Sequence, residues 1–139
     1  MSGGFVDPDR TVFAELRALD QSYPVEMLNL VRLRERAAYA DGTVASGAEA
    51  YAEYGRLSFP IFERVGGRIL WSARPEITVI GPAEDRWDIA FIARYPTGQA
   101  FLNMVRDPEY RAIVHHRQAA VETSRLVRSA PREAEAGFG

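Results

Sequence analysis

Residues 87–95, Trp-Asp-Ile-Ala-Phe-Ile-Ala-Arg-Tyr, constrain this chain more than any other stretch. Side chains of an extended strand alternate between two faces. Trp87, Ile89, Phe91, Ala93 and Tyr95 therefore share one face, and Asp88, Ala90, Ile92 and Arg94 the other. Both faces hold apolar residues, so the strand is expected to be central, with cover on both sides. Pro96 ends it, having no N–H to offer a ladder. Thr97 then supplies a helix N-cap, with Gly98 helping the chain turn. Asp107-Pro108 restarts the helix with an acceptor at the cap and a proline where its missing N–H costs nothing. The rest of the chain is expected to pair with this strand or pack on these helices.

Downstream, Tyr110, Ile113, Val114, Arg117 and Val121 recur at helical spacing. At about 100° per residue, Arg117 lies within about 20° of Tyr110, at the centre of the apolar stripe. His116 falls on the flank and His115 on the opposite side. A cation in an apolar stripe has two explanations. Its stem packs while its head reaches water or pairs internally with Asp88 or a Glu, or it anchors an anion inside a pocket, since a desolvated guanidinium needs hydrogen-bonded partners. If it is buried and paired, removing the partner costs roughly 3–5 kcal/mol.

Composition bounds the chemistry. A chain of 139 residues is expected to form one domain, burying roughly two-thirds of its unfolded surface. The net charge of −2 and scattered basic residues give no reason to expect nucleic acid or an anionic membrane as partner. No apolar run is long enough to span a bilayer and no signal-peptide core is visible, so the cytoplasm is the expected location. Cysteine is absent, which excludes disulfides and thiolate chemistry. Lysine is absent too, which excludes Schiff-base formation and a Walker-type phosphate loop. Two adjacent histidines pointing apart on a helix do not make a metal site.

Taken in order, Asp7-Pro8 opens an N-terminal helix that ends near Asp20. Residues 24–34 read as a first strand, apolar on both faces, with Asn29 interrupting one row. That amide is either a structural bridge to a backbone or a pocket donor. Ser46-Gly-Ala-Glu49 is a capping box. The helix it opens carries Tyr51, Tyr54, Ser58, Ile61, Phe62 and Val65 along one side. Pro60 is expected to kink or break it, and Gly66-Gly67 to end it. Residues 68–73 form a strand that residues 76–80 resume, either across a bulge or as a hairpin. An antiparallel hairpin into the Trp87 strand follows, and residues 123–128 read as the last strand. Residues 1–23 are thus a helical extension, 24–128 the folded domain, and 129–139 a disordered tail with little to bury.

Without the N-terminal helix, the order is β-α-β-β-α-β, the plan of an α+β, ferredoxin-like sandwich. Both helices lie on one side of a four-stranded antiparallel sheet, leaving a partly apolar face that a second copy would cover. The stretches PVEMLNLVRLRE, SGAEAYAEYG, GGRILW, WDIAFIARYPT and DPEYRAIVHHRQAA resemble the family called domain of unknown function 1330, of the dimeric α+β barrel superfamily. The residues that match its pattern are Gly66-Gly67, Tyr95-Pro96, Pro108-Glu109-Tyr110 and Arg117. The resemblance implies a homodimer whose two sheets form a barrel, with a pocket in each subunit between sheet and helices. It implies no established reaction.

Two function classes fit. One is a cofactor-free, metal-free enzyme acting on an anionic or enolisable substrate, aromatic or not. Arg117 would stabilise negative charge, and Asp88 or His116 would serve as base if burial shifts its proton affinity. Asn29, Tyr54 and Tyr110 would orient the ligand, with Trp87 and Tyr95 as apolar walls. The other is a non-catalytic dimeric module, ligand-binding or structural, with Arg117 tied up internally.

Overall fold

The computed structural model describes residues 4–134, 137 and 138. Its elements run α1 (Arg10–Ala18), β1 (Val25–Leu33), α2 (Gly47–Arg64), β2 (Arg68–Ala73), β3 (Ile89–Tyr95), α3 (Gly98–Arg106), α4 (Pro108–Ala120) and β4 (Val121–Ser129). The four strands form one sheet in the order β2-β3-β1-β4, every neighbour antiparallel. The expected α+β plan is the one observed, and the Trp87 stretch does supply a central strand, β3.

Local chemistry sets the helix starts. Ser46 accepts from Glu49 N while the Glu49 carboxylate accepts from Ser46 N, a complete capping box for α2. Thr97 Oγ1 accepts from Ala100 N to start α3, and Asp107 Oδ1 accepts from Glu109 N to start α4, with Pro108 at its first turn. Gly66, at φ +89, turns the chain out of α2; a side chain there would meet the Pro96 ring. Helix α2 continues through Pro60 without a break. That ring is exposed while Ile61 and Phe62 beside it are buried, so packing outweighs one lost backbone bond.

Five expectations need correction. The first helix starts at Arg10 under an Asp9 cap, not at Asp7-Pro8. Residues 76–80 pair with nothing and are irregular, so β2 is not resumed. Strand β3 begins at Ile89, which leaves Trp87 and Asp88 outside the alternation. Val121 opens β4 rather than ending α4, since the last helix stops at Ala120. Ser129, expected in the tail, closes β4. Residues 135, 136 and 139 of that tail lie outside the described residues.

Val25, Met27 and Val31 of β1 and Ala93 and Tyr95 of β3 face the helices and are buried. Around them pack Ile61, Phe62, Ala100 and Met104 at one end, and Ala37, Ala50, Ala119, Ala120 and Val121 at the other. The opposite, outer face is closed only at one end, where Ala90 is buried and Glu84 and Trp87 of the β2–β3 loop reach Arg32 and Arg125. On this outer face the strand register aligns Trp71, Ile92, Leu28 and Val127 in one apolar row across all four strands. Cover on both sides of the central strand, expected from its sequence, is met on the outer side at Ala90, while Ile92 beside it stays partly exposed among the described residues. No helix among the described residues is long and apolar enough to cross a membrane.

Candidate functional site

Helices α2 and α4 lie side by side over the sheet and bring three tyrosines to one cation. The hydroxyls of Tyr54 and Tyr110 share a 2.8 Å hydrogen bond, and their rings meet edge to face at 6.1 Å. Tyr51 sits one turn before Tyr54, its ring 5.5 Å away. Burial pushes the Tyr51 phenol up to about 12, with the positive charge of Arg117 partly opposing the rise. Burial likewise raises Tyr54 well above 10 and raises Tyr110, again with Arg117 opposing. All three are therefore protonated near neutral pH, as hydroxyl donors under a cation's field.

Arg117 itself is half-buried. Its guanidinium donates to the Val6 carbonyl and, at 3.1 Å, to Ser124 Oγ of β4. No carboxylate among the described residues lies within ion-pair distance of it. The expected internal partner, Asp88, is engaged elsewhere: its Oδ2 accepts from Leu33 N at 2.7 Å. The residues reaching Arg117 come from the N-terminal extension. Phe5 N donates to Thr123 Oγ1 at 3.0 Å, Ser124 N and Oγ both donate to Phe5 O at 2.8 Å, and Gln118 holds Asp7. Residues 5–7 thus form a strap along β4 that ends on the guanidinium.

The other residues singled out from the sequence are distributed around this centre. Tyr95 is buried between the rings of Phe62 and Phe101, both at 5.3 Å, with its hydroxyl on Met104 Sδ. Burial raises its phenol also. Asn29, on the helix side of β1, donates to the Met27 carbonyl of its own strand at 3.1 Å. Trp87 does not share a wall with Tyr95. Lying ahead of β3, it stacks on the Arg125 guanidinium, 5.2 Å from its ring, with Phe5 on that cation at 4.9 Å.

His116 belongs to a different place. Its Nδ1 shares a 2.6 Å hydrogen bond with the Tyr39 hydroxyl, and burial, followed by the neighbouring His115, pushes its imidazole below 6.5. The two histidines do not point apart as helical spacing suggests: their rings lie 4.1 Å from each other. They sit where α4 meets the loop 34–46, and Tyr39 draws both rings toward it. With Asp41, Glu49 and Glu53 they line an open cleft of about 390 Å³. Among the described residues no group of three or more His, Cys, Asp or Glu is placed to hold a metal ion.

The structure therefore joins Tyr54, Tyr110 and Arg117, and leaves Asp88, His116 and Trp87 outside that group. Tyr51 was visible beforehand, three residues before Tyr54 on the same stripe. Ser124 and the Val6 carbonyl carried no signal, because their contacts join segments more than a hundred residues apart in one instance and across a helix–strand corner in the other.

Residues 37–129 match the family described as Domain of unknown function (DUF1330). A protein of unknown function from Rhodopseudomonas palustris is 55% identical in sequence and superimposes with a TM-score of 0.90, over 94% of this chain and 99% of that one. More distant structures share the fold alone. SnoaB, a cofactor-independent oxygenase from Streptomyces nogalater, is 16% identical with a TM-score of 0.53, covering 86% of this chain and 100% of its own. A dabb family protein with a ferredoxin-like fold from Mesorhizobium loti is 15% identical with a TM-score of 0.50, covering 79% and 98% respectively. No curated protein matches this sequence.

Proposed function

This chain belongs to the DUF1330 family, and from its own side chains we propose that it binds a small anionic, aromatic molecule between α2, α4 and the sheet. One observation carries the proposal. Among the described residues the half-buried Arg117 guanidinium has only neutral acceptors, the Val6 carbonyl and the Ser124 hydroxyl, and it stands beside the protonated Tyr54–Tyr110 pair. A guanidinium gains more from a carboxylate than from a carbonyl, because charge-assisted hydrogen bonds are about twice as strong as neutral ones. A ligand carboxylate or enolate arriving at Arg117 replaces the Val6 carbonyl, and its ring rests among the tyrosines. The strap at residues 5–7 yields to admit it.

The test is thermal stability in the presence of benzoate and salicylate. A ligand at 100 times its dissociation constant adds about 2.7 kcal/mol of stability. The wild type is expected to respond, and Arg117→Gln is not. Ser124→Ala, which loosens the strap but keeps the cation, is expected to respond at least as well as wild type. Equal responses in wild type and Arg117→Gln overturn the anchor.

A catalytic version is favoured by the same hydroxyl pair. Of the bonded pair Tyr54 and Tyr110, the hydroxyl that does not donate to its neighbour is suited to donate a hydrogen bond to an enolate beside Arg117, as in cofactor-free chemistry on an enolisable aromatic substrate. The base for that step is not supplied at this position by Asp88 or His116, which are bonded to Leu33 N and Tyr39. Binding is for that reason preferred to turnover. The protein works as a homodimer in this proposal, with the row Trp71, Ile92, Leu28 and Val127 of each sheet packed against its twin.

A further inference from the structure

The loop between β2 and β3 contains a contradiction. Residues 76–80, Glu-Ile-Thr-Val-Ile, have the composition of a strand, β-branched at four successive positions. In the single chain they pair with nothing, and Ile77, Val79 and Ile80 are 80%, 85% and 93% exposed. Three large apolar side chains presented together to water mark a contact surface rather than a solvated turn.

The loop is held over one side of the sheet. Arg32, on the outer face of β1, donates to the Glu84 carbonyl at 2.6 Å, and Trp87 at the loop's end stacks on Arg125, also on the outer face. The apolar arm and the apolar row Trp71, Ile92, Leu28 and Val127 therefore belong to the same side. The next row on that face contains Arg68 and Arg94. Arg94 is neutralised by Glu26 at 2.8 Å, whereas Arg68 has no carboxylate within ion-pair distance among the described residues. The arm in turn carries Glu76, equally without a cation. One surface thus offers both halves of an apolar contact and both halves of a charge pair, which is the property a self-complementary interface needs.

We propose that residues 74–88 are a clasp for a second copy of this chain, with Ile77, Val79 and Ile80 buried on the partner's outer sheet face. The inference rests on the homodimer described above and adds an element to it: the sheets meet, and each arm closes over the margin of the other. Burial supplies the contacts that a strand-prone segment lacks in the lone chain. The arm, outside helix and strand in the lone chain, then gains its packing partner on association.

Sedimentation equilibrium on the full chain separates the clasp from the dimer itself. Three proteins are compared: wild type, the arm variant Ile77→Ser/Val79→Ser/Ile80→Ser, and Leu28→Arg on the apolar row. The arm side chains are exposed, so the triple variant is expected to keep the circular-dichroism spectrum of the wild type. Its dimer dissociation constant is expected to rise on the order of tenfold or more. Amides of residues 77–80 are expected to gain hydrogen-exchange protection in the wild-type dimer and to lose it in Leu28→Arg. If wild type dimerises, Leu28→Arg separates it and the triple variant dimerises unchanged, the clasp is overturned while the sheet-to-sheet dimer stands. If wild type is monomeric at all concentrations, both fall. If it is monomeric but sediments with phosphatidylcholine vesicles through Ile77, Val79 and Ile80, the arm is a lipid contact and the clasp is overturned.

Discussion

The two faces of the sheet are built from the same strands and have opposite fates. On one, Val25, Met27 and Val31 are shut away under α2, α3 and α4. On the other, Leu28, Ile92, Trp71 and Val127 form an equally apolar row over which no described helix packs. In residue type the two rows scarcely differ; what differs is the supply of covering elements. Both long helices, α2 and α4, are consumed on one side, packed against each other and over the buried residues of β1 and β3. The covered face carries the stability of one chain; in the proposed homodimer the other face gains its energy on association.

The largest expected effect tests that division directly. Met27→Ala leaves a void in the covered core and is expected to cost about 2–5 kcal/mol, read from the denaturant midpoint. Its neighbour Leu28→Ala is expected to cost about 1 kcal/mol in the dilute monomer. Comparable losses for the two would abolish the distinction between the faces.

Alkaline titration sharpens it, since the covered face also holds the raised phenols. Burial holds Tyr51 at about 12 against its ordinary 10, with Tyr54, Tyr95 and Tyr110 raised as well. The unfolded chain therefore releases these protons first. Stability is full below pH 10 and declines as the pH rises through the raised values. Ultraviolet titration should show phenols that ionise only with unfolding, and Tyr51→Phe should shallow the decline. Phenolate formation at the ordinary value without unfolding would place the cluster in solvent.

The smallest effect belongs to the rim, at His116. Its lowered proton affinity means the unfolded chain takes up a proton first as the pH falls below 6.5, so stability drops in the window beneath that value. His116→Asn should flatten the slope there and leave the slope above neutral unchanged. An identical acid slope in both proteins would assign the loss to other groups.

Much of the secondary structure could be read from single residues. Ser46 with Glu49, Thr97, and Asp107 with Pro108 mark helix starts by side-chain chemistry that acts within three residues, and each cap is where it was expected. Residues 76–80 were misread for an equally physical cause. β-propensity describes a side chain's fit to a pleated neighbour, and this chain offers that segment none. Trp87 was assigned to the Tyr95 face by extending an alternation two residues past the point where pairing begins. The histidines were placed by helical angle alone, which fixes where a side chain leaves the backbone and not where its ring comes to rest; Tyr39 decides that. Of the candidate site, Tyr54, Tyr110 and Arg117 were legible because two helical stripes display them.

By itself the sequence determined the order of the four strands and the helices between them, the caps of α2, α3 and α4, and the presence of one cation in an apolar stripe, since all of these depend on spacing along a single helix or strand. Tertiary structure alone decided that this cation meets a carbonyl and a hydroxyl instead of a carboxylate, and that the helices close only one side of the sheet. Those outcomes depend on contacts between segments far apart in the chain, such as Val6 and Arg117, and no local periodicity encodes which distant groups will arrive together.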